Sequence, residues 1–97
     1  MASYKELIVW QKAISVAVGI YTITKTFPKD ELYGMVSHMR RSSISISSNI
    51  AEGSLRGSRK EYSHFLRIAL SSCAELESQM FLSEKVGLIN SKDCTTI

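Results

Sequence analysis

The stretch LYGMVSHMRRSSISISSNI, residues 32–50, decides the fold. Within it Leu32, Val36, Met39, Ser43, Ile46 and Ile50 follow one another at alternating steps of four and three, which keeps one stripe on a single helical face. The centre of that stripe is rich in small residues: Ser42, Ser43, Ser45, Ser47 and Ser48 crowd together. Small side chains let a neighbouring helix approach closely, and their hydroxyls bond back to carbonyls one turn earlier. No GxSxG elbow surrounds these serines and no strand-like segment leads into them, so they read as packing residues and not as nucleophiles.

The flanking segments carry the same period. Upstream, Leu7, Trp10, Ile14, Ala17, Tyr21 and Thr24 form a stripe that Ala13, Ile20 and Phe27 widen. Downstream the stripe runs Tyr62, Phe65 or Leu66, Ala69, Ser72 or Cys73, Leu76 and Met80. No segment sustains the period-two alternation of a half-buried strand. The breaks fall where the chemistry puts them. Phe27-Pro28 ends the first helix, because the residue before a proline avoids the α region. Asp30 is placed to cap the second, and Gly53 and Gly57 bracket its end. Ser58-Arg59-Lys60-Glu61 reads as a reciprocal capping box for the third helix, and Gly87 closes it.

Helices are therefore expected at about 5–27, 31–53 and 59–86, with a stub of a fourth after 91 that Asn90-Ser91 would cap. Short connections force consecutive helices to run antiparallel, so the expected class is all-α, an up-and-down bundle. Too few residues follow Ser91 to cover the other three helices. The sequence leaves three options: a three-membered bundle, a fourth helix from another chain, or a truncated sequence. Oligomerisation is the natural remedy for an uncovered stripe.

The 97 residues suffice for one domain, 1–97. With 44% apolar and 22% charged residues and a single proline, the composition is that of an ordinary globular chain. No apolar run approaches a membrane span of about 20 residues, and Met1–Glu6 shows no leader pattern, so a cytoplasmic location is expected. Cys73 is expected to be a buried thiol, and neither it nor Cys94 has CxxC or histidine company. His38 and His64 have no second ligand at helical spacing, so no metal, cofactor or catalytic group is expected. Trp10, Tyr21, Phe27, Tyr62, Phe65 and Phe81 lie on or beside the stripes and read as core.

Charge is distributed unevenly. Of the net +3, residues 38–67 hold six basic groups against Glu52 and Glu61, whereas residues 68–97 are net acidic. Arg40, Arg41, Arg56, Arg59, Lys60 and Arg67 form this positive band, which suits an anionic partner. The loop GSLRGS, residues 53–58, lacks the ending and the preceding strand of a Walker loop. Its arginines do flank a helix N-terminus whose amides favour an anion, and a solvated loop is the plainer reading. Arg41, Ser45, Asn49 and Glu52 stack at steps of four, four and three. With Glu75 and Glu77 of the third helix they read either as a register-fixing polar network or as a groove for nucleic acid or a protein.

Residues 40–79, RRSSISISSNIAEGSLRGSRKEYSHFLRIALSSCAELESQ, resemble the bacterial four-helix-bundle family of proteins encoded in 23S rRNA intervening sequences. The VWQKA of residues 9–13, the Phe27-Pro28 turn and the E-x-YG of Glu31–Gly34 match the same family, as do SNIAEG at 48–53 and the R-x-S-x-x-E of Arg56–Glu61. The resemblance implies a left-handed antiparallel four-helix bundle and, in some relatives, a pentameric barrel. A similar fold occurs in accessory proteins of diversity-generating retroelements, whose positive surface is associated with nucleic acid. The chain departs from the pattern at Ser47, where relatives carry proline, and in lacking a complete fourth helix after Ile97. The resulting expectation is a non-enzymatic homo-oligomer that binds RNA or other nucleic acid through the six basic residues. The alternative is a protein–protein adaptor in which those arginines pair with carboxylates.

Overall fold

The computed structural model describes residues 3–90. Among them are three α-helices and no strand: α1 (Ile8–Thr24), α2 (Ser37–Ser54) and α3 (Arg59–Lys85). The expected fourth helix after 91 lies outside the described residues. The body measures 43 × 21 × 20 Å. Its middle member is α2, which packs against both neighbours, while α1 and α3 stand apart on either side of it. The tight connections make α1 and α3 parallel to each other and antiparallel to α2.

Local chemistry sets each boundary. A short 3-10 turn, Tyr4–Glu6, precedes α1, so regular helix begins at Ile8 and not near residue 5. At its far end the chain tightens, with Phe27 N–H donating to the Thr24 carbonyl (3.1 Å), before Pro28 turns it away. The second helix starts later than the periodicity suggests. Lys29–Glu31 forms a 3-10 turn and Leu32–Val36 a wide turn in which Gly34 leaves helical geometry (φ −110, ψ −109). The cap here is Glu31 and not Asp30: the Glu31 carboxylate accepts the Met35 N–H at 3.5 Å, whereas Asp30 faces solvent.

Ser58 caps α3 through its hydroxyl, which accepts the Glu61 N–H at 3.1 Å, and the reverse contact from the Glu61 carboxylate is not made. Gly87 adopts φ +85, and the amides of Gly87 and Leu88 reach back to the carbonyls of Glu84 (3.1 Å) and Ser83 (2.8 Å). This paired closure satisfies the last carbonyls of α3 and tucks Ile89 into the core.

The core is thin and continuous: Ala13 and Ile20 from α1, Phe27 and Val36 from the connection, Met39, Ile46 and Ile50 from α2, Ala69 and Leu76 from α3, and Ile89. Between α2 and α3 it becomes a seam of small residues. Ser42, Ser43 and Ser47 are buried on α2, facing a helix whose buried residues are Ala69, Ser72, Leu76 and Ser83. Four of the hydroxyls along this seam have partners. Ser43 donates to the Arg40 carbonyl (2.9 Å), Ser47 to the Ile44 carbonyl (3.2 Å), Ser72 to the Ser45 hydroxyl (2.8 Å) and Ser83 to the Met39 sulfur (3.6 Å). A buried hydroxyl without a partner costs about 1–3 kcal/mol, so these bonds make a polar seam tolerable.

Two expectations fail here. Cys73 is exposed and Ser72 takes the buried place, because the two are about 100° apart on the helix and α2 lies on the serine's side. Phe81 is likewise 62% exposed and Tyr21 39%, so not every aromatic on a stripe is core.

The seam is tightest at Gly53. A Cβ built there would sit 2.7 Å from the Phe65 Cβ and 3.0 Å from the Tyr62 ring. Alanine normally favours a helix over glycine by about 1 kcal/mol. Here overpacking against a Cβ that cannot swing away, worth about 1–3 kcal/mol, outweighs that gain. Gly53→Ala is therefore expected to lower the stability in urea unfolding, against the sign that helix propensity alone gives.

Candidate nucleic-acid interface

The six basic residues of the central band do not gather in one place. Arg40 is half-buried, donates from Nε to the Thr24 hydroxyl at 3.0 Å and lies over the Tyr21 ring, 4.5 Å from its centroid. Thr24 in turn donates to the Ile20 carbonyl at 2.6 Å. Arg40 is thus a strut between α2 and α1, its charge held by an aromatic face and a hydroxyl. Arg41, one position on, is exposed and makes no ion pair among the described residues. It stands about 20 Å along α2 from the turn that carries the others.

The remaining four collect at the opposite end, where α2 hands over to α3. Gly57, at φ +82, makes the sharp turn that only glycine adopts without strain. Arg56 precedes it, Arg59 and Lys60 open α3, and Arg67 follows two turns later, all exposed. Arg56 is held by Glu52 at 3.6 Å and by the Phe65 ring at 4.9 Å from its centroid. Both groups of that ion pair are about half exposed, so its worth is small and the guanidinium remains presentable to an anion. Arg59, Lys60 and Arg67 make no ion pair among the described residues. Lys60, His64 and Arg67 recur at steps of four and three, which sets them on one outward stripe of α3. His64 was not among the sequence candidates, although the spacing signals it.

The polar network expected around Arg41 exists in reduced form. Asn49 donates to both the Ser45 carbonyl (2.8 Å) and its hydroxyl (3.0 Å), and Ser72 joins them across the seam. Glu52 belongs to the Arg56 pair. Arg41, Glu75 and Glu77 stay outside, and no arginine reaches Glu75 or Glu77 among the described residues. The reason is geometric: Glu75 points to solvent and Glu77 borders a different surface, the groove between α1 and α3.

That groove holds about 670 Å³, floored by Ile46 and Ile50 of α2 and walled by Val9, Lys12 and Val16 on one side and Leu66, Leu70, Cys73 and Met80 on the other. Partial desolvation by the groove wall, and then the neighbouring Glu77 carboxylate, push the Cys73 thiol up from its ordinary range. No group of three or more His, Cys, Asp or Glu is placed to hold a metal among the described residues. Nor is any described helix long and apolar enough to cross a membrane.

Residues 5–97 match the 23S rRNA-intervening sequence protein family. The chain belongs to that family. No curated protein is matched by the chain.

Two outcomes follow from the placement of these residues. Arg40→Ala removes a charged hydrogen bond and a cation–π contact and is expected to cost about 1–2 kcal/mol in chemical unfolding, whereas Arg41→Ala should stay within about 0.5 kcal/mol of the parent. Because the thiolate is the reacting form and the Cys73 pKa is raised, peptide-resolved alkylation of Cys73 should have its pH midpoint above that of a free thiol.

Proposed function

We propose that the protein is a non-enzymatic helical module that binds structured RNA through its α2–α3 end and assembles with further copies of itself. The observation that carries the first part is the cluster of exposed Arg59, Lys60 and Arg67, without carboxylate partners among the described residues, joined by the half-exposed Arg56. Cations that had been neutralised by Glu75 and Glu77 would have favoured the adaptor reading, and they are not. Such residues contact phosphates and position a nucleic acid without reading its sequence. The exposed amides at the start of α3 and its dipole add to the attraction. The family to which the chain belongs is named for 23S ribosomal RNA, which supports ribosomal RNA as the nucleic acid.

Assembly has a separate support. The groove between α1 and α3 leaves large apolar side chains in solvent, and in a four-helix bundle it is the position a fourth helix would fill. A bundle closed by such a helix, and the pentamer seen in some relatives, are further forms this assembly can take.

Titration of a fluorescent ribosomal RNA hairpin over a range of salt concentrations tests the RNA reading. Four phosphate contacts give a slope of log K against log salt of roughly −3. Arg59→Glu with Lys60→Glu should weaken binding at least about tenfold and flatten the slope by about 1–2. Arg40→Ala, whose side chain faces α1, should leave the slope unchanged. Binding indifferent to salt and to the double reversal refutes the proposal.

A further inference from the structure

Beside the cations of the α2–α3 end lies a second, smaller cavity of about 260 Å³. Three elements meet there: Leu7 ahead of α1, Gly53 and Ser54 at the end of α2, and Ser58, Arg59 and Tyr62 at the start of α3. Gly53 makes one wall possible. The Tyr62 Cδ1 stands 3.0 Å from where a Cβ on residue 53 would be, so the ring packs against bare backbone and is held in place. Among the described residues no carboxylate lines the cavity, and Arg59 does.

Most of its polar groups are uncommitted. Ser54 donates its hydroxyl to the Ala51 carbonyl at 2.8 Å. The Tyr62 hydroxyl, in contrast, makes no hydrogen bond among the described residues, and the Arg59 guanidinium makes no ion pair there. The Ser58 hydroxyl accepts the Glu61 amide at 3.1 Å and still has its own proton to donate. An aromatic wall, two available hydroxyls and one available cation therefore converge on a space that the protein leaves unfilled.

We infer that this cavity seats the base of a single unpaired RNA nucleotide, with the adjoining phosphate held by Arg59. The inference rests on the RNA part of the preceding proposal and narrows it to RNA that offers an unpaired nucleotide. Size is the first argument. Pockets for drug-sized ligands hold about 300–1,000 Å³. A cavity of about 260 Å³ suits one planar ring system and is too small for a base pair.

Chemistry is the second argument. Proteins read RNA largely at bases splayed out of loops and bulges, laid against aromatic side chains and hydrogen-bonded at their edges. Tyr62 and Leu7 supply the contact surface, and the hydroxyls of Tyr62 and Ser58 supply partners for the base edge. A purely apolar ligand would use neither the hydroxyls nor the guanidinium. Charge is the third argument. Arg59 on the wall, with Arg56 and Lys60 close by in the chain, favours a ligand that carries its own phosphate. Phosphates of a fully paired helix would engage these cations and leave the cavity empty.

The experiment compares three fluorescent RNA duplexes of one sequence by anisotropy at a fixed salt concentration. One is fully paired, one carries a single unpaired adenosine, and one carries an abasic nucleotide in that place. The abasic form keeps the sugar and phosphate and lacks only the base. One stacked base contributes about five- to a hundredfold in affinity. The RNA with the unpaired adenosine should therefore bind at least about fivefold tighter than the other two.

Tyr62→Leu should abolish that difference with the salt slope unchanged, whereas Tyr62→Phe, which keeps the ring, should retain most of it. Circular dichroism verifies that each variant is helical. Leu7→Trp, which fills the cavity from its other side, should also abolish the difference and replaces Tyr62→Leu if that variant does not fold. Equal binding of all three RNAs overturns the inference and leaves the RNA reading standing. So does a preference for the unpaired adenosine that survives the cavity variants, since the base then sits elsewhere. Binding of none of the three RNAs overturns the RNA reading, and this inference with it.

Discussion

The rest of the structure depends on how closely α2 and α3 approach one another. That approach requires small residues, and the sequence supplies them on both sides: Ser42, Ser43, Ser47 and Gly53 on α2, Ala69, Ser72 and Ser83 on α3. At Gly53 the margin vanishes, since no Cβ fits beside Phe65. A seam of this kind gains little from apolar burial per residue, so its stability comes from contact density and from the hydrogen bonds of Ser43, Ser47, Ser72 and Ser83. Met39, fully buried, and Ile46 and Ile50 then serve as the apolar spine on which α1 lies. With α2 held on both flanks, α1 and α3 are left facing across an open groove.

The same arrangement sorts the charge. Antiparallel connections bring the α2–α3 turn to one end of an elongated body, so Arg56, Arg59 and Lys60 meet there although the carboxylates of α3 are in the same helix. Glu75, Glu77 and Glu84 lie further along, beyond the reach of those cations. The molecule is polarised, basic at one end and acidic along the far half of α3. Over a distance longer than the screening length of about 8 Å, the two regions act independently.

Some of the candidate site was legible before any coordinates. The charge imbalance of residues 38–67, the glycine turn and the start of α3 follow directly from residue order. What order did not resolve was the fate of neighbours. Arg40 and Arg41 are identical in chemistry and adjacent in sequence, yet one is clamped between Thr24 and Tyr21 and the other stands in water. Glu77 was paired in expectation with arginines of α2 and instead borders the groove. Asp30 was the expected cap of the second helix, and the wide turn through Gly34 gave the role to Glu31.

Residue order by itself determined that the chain is helical, that the central helix carrying the stretch 32–50 is built for close packing, and that breaks fall at Pro28, Gly57 and Gly87. These are local matters: periodicity, caps and backbone freedom act over one or two turns and need no knowledge of the partner. Only the tertiary structure decided which half of each stripe is buried. Successive helical residues differ by about 100°, so the position of the neighbouring helix, and not the pattern, chose Ser72 over Cys73 and left Phe81 outside. The same cause left the groove between α1 and α3 open, because a stripe records that a helix has an apolar face but not how many helices will meet it.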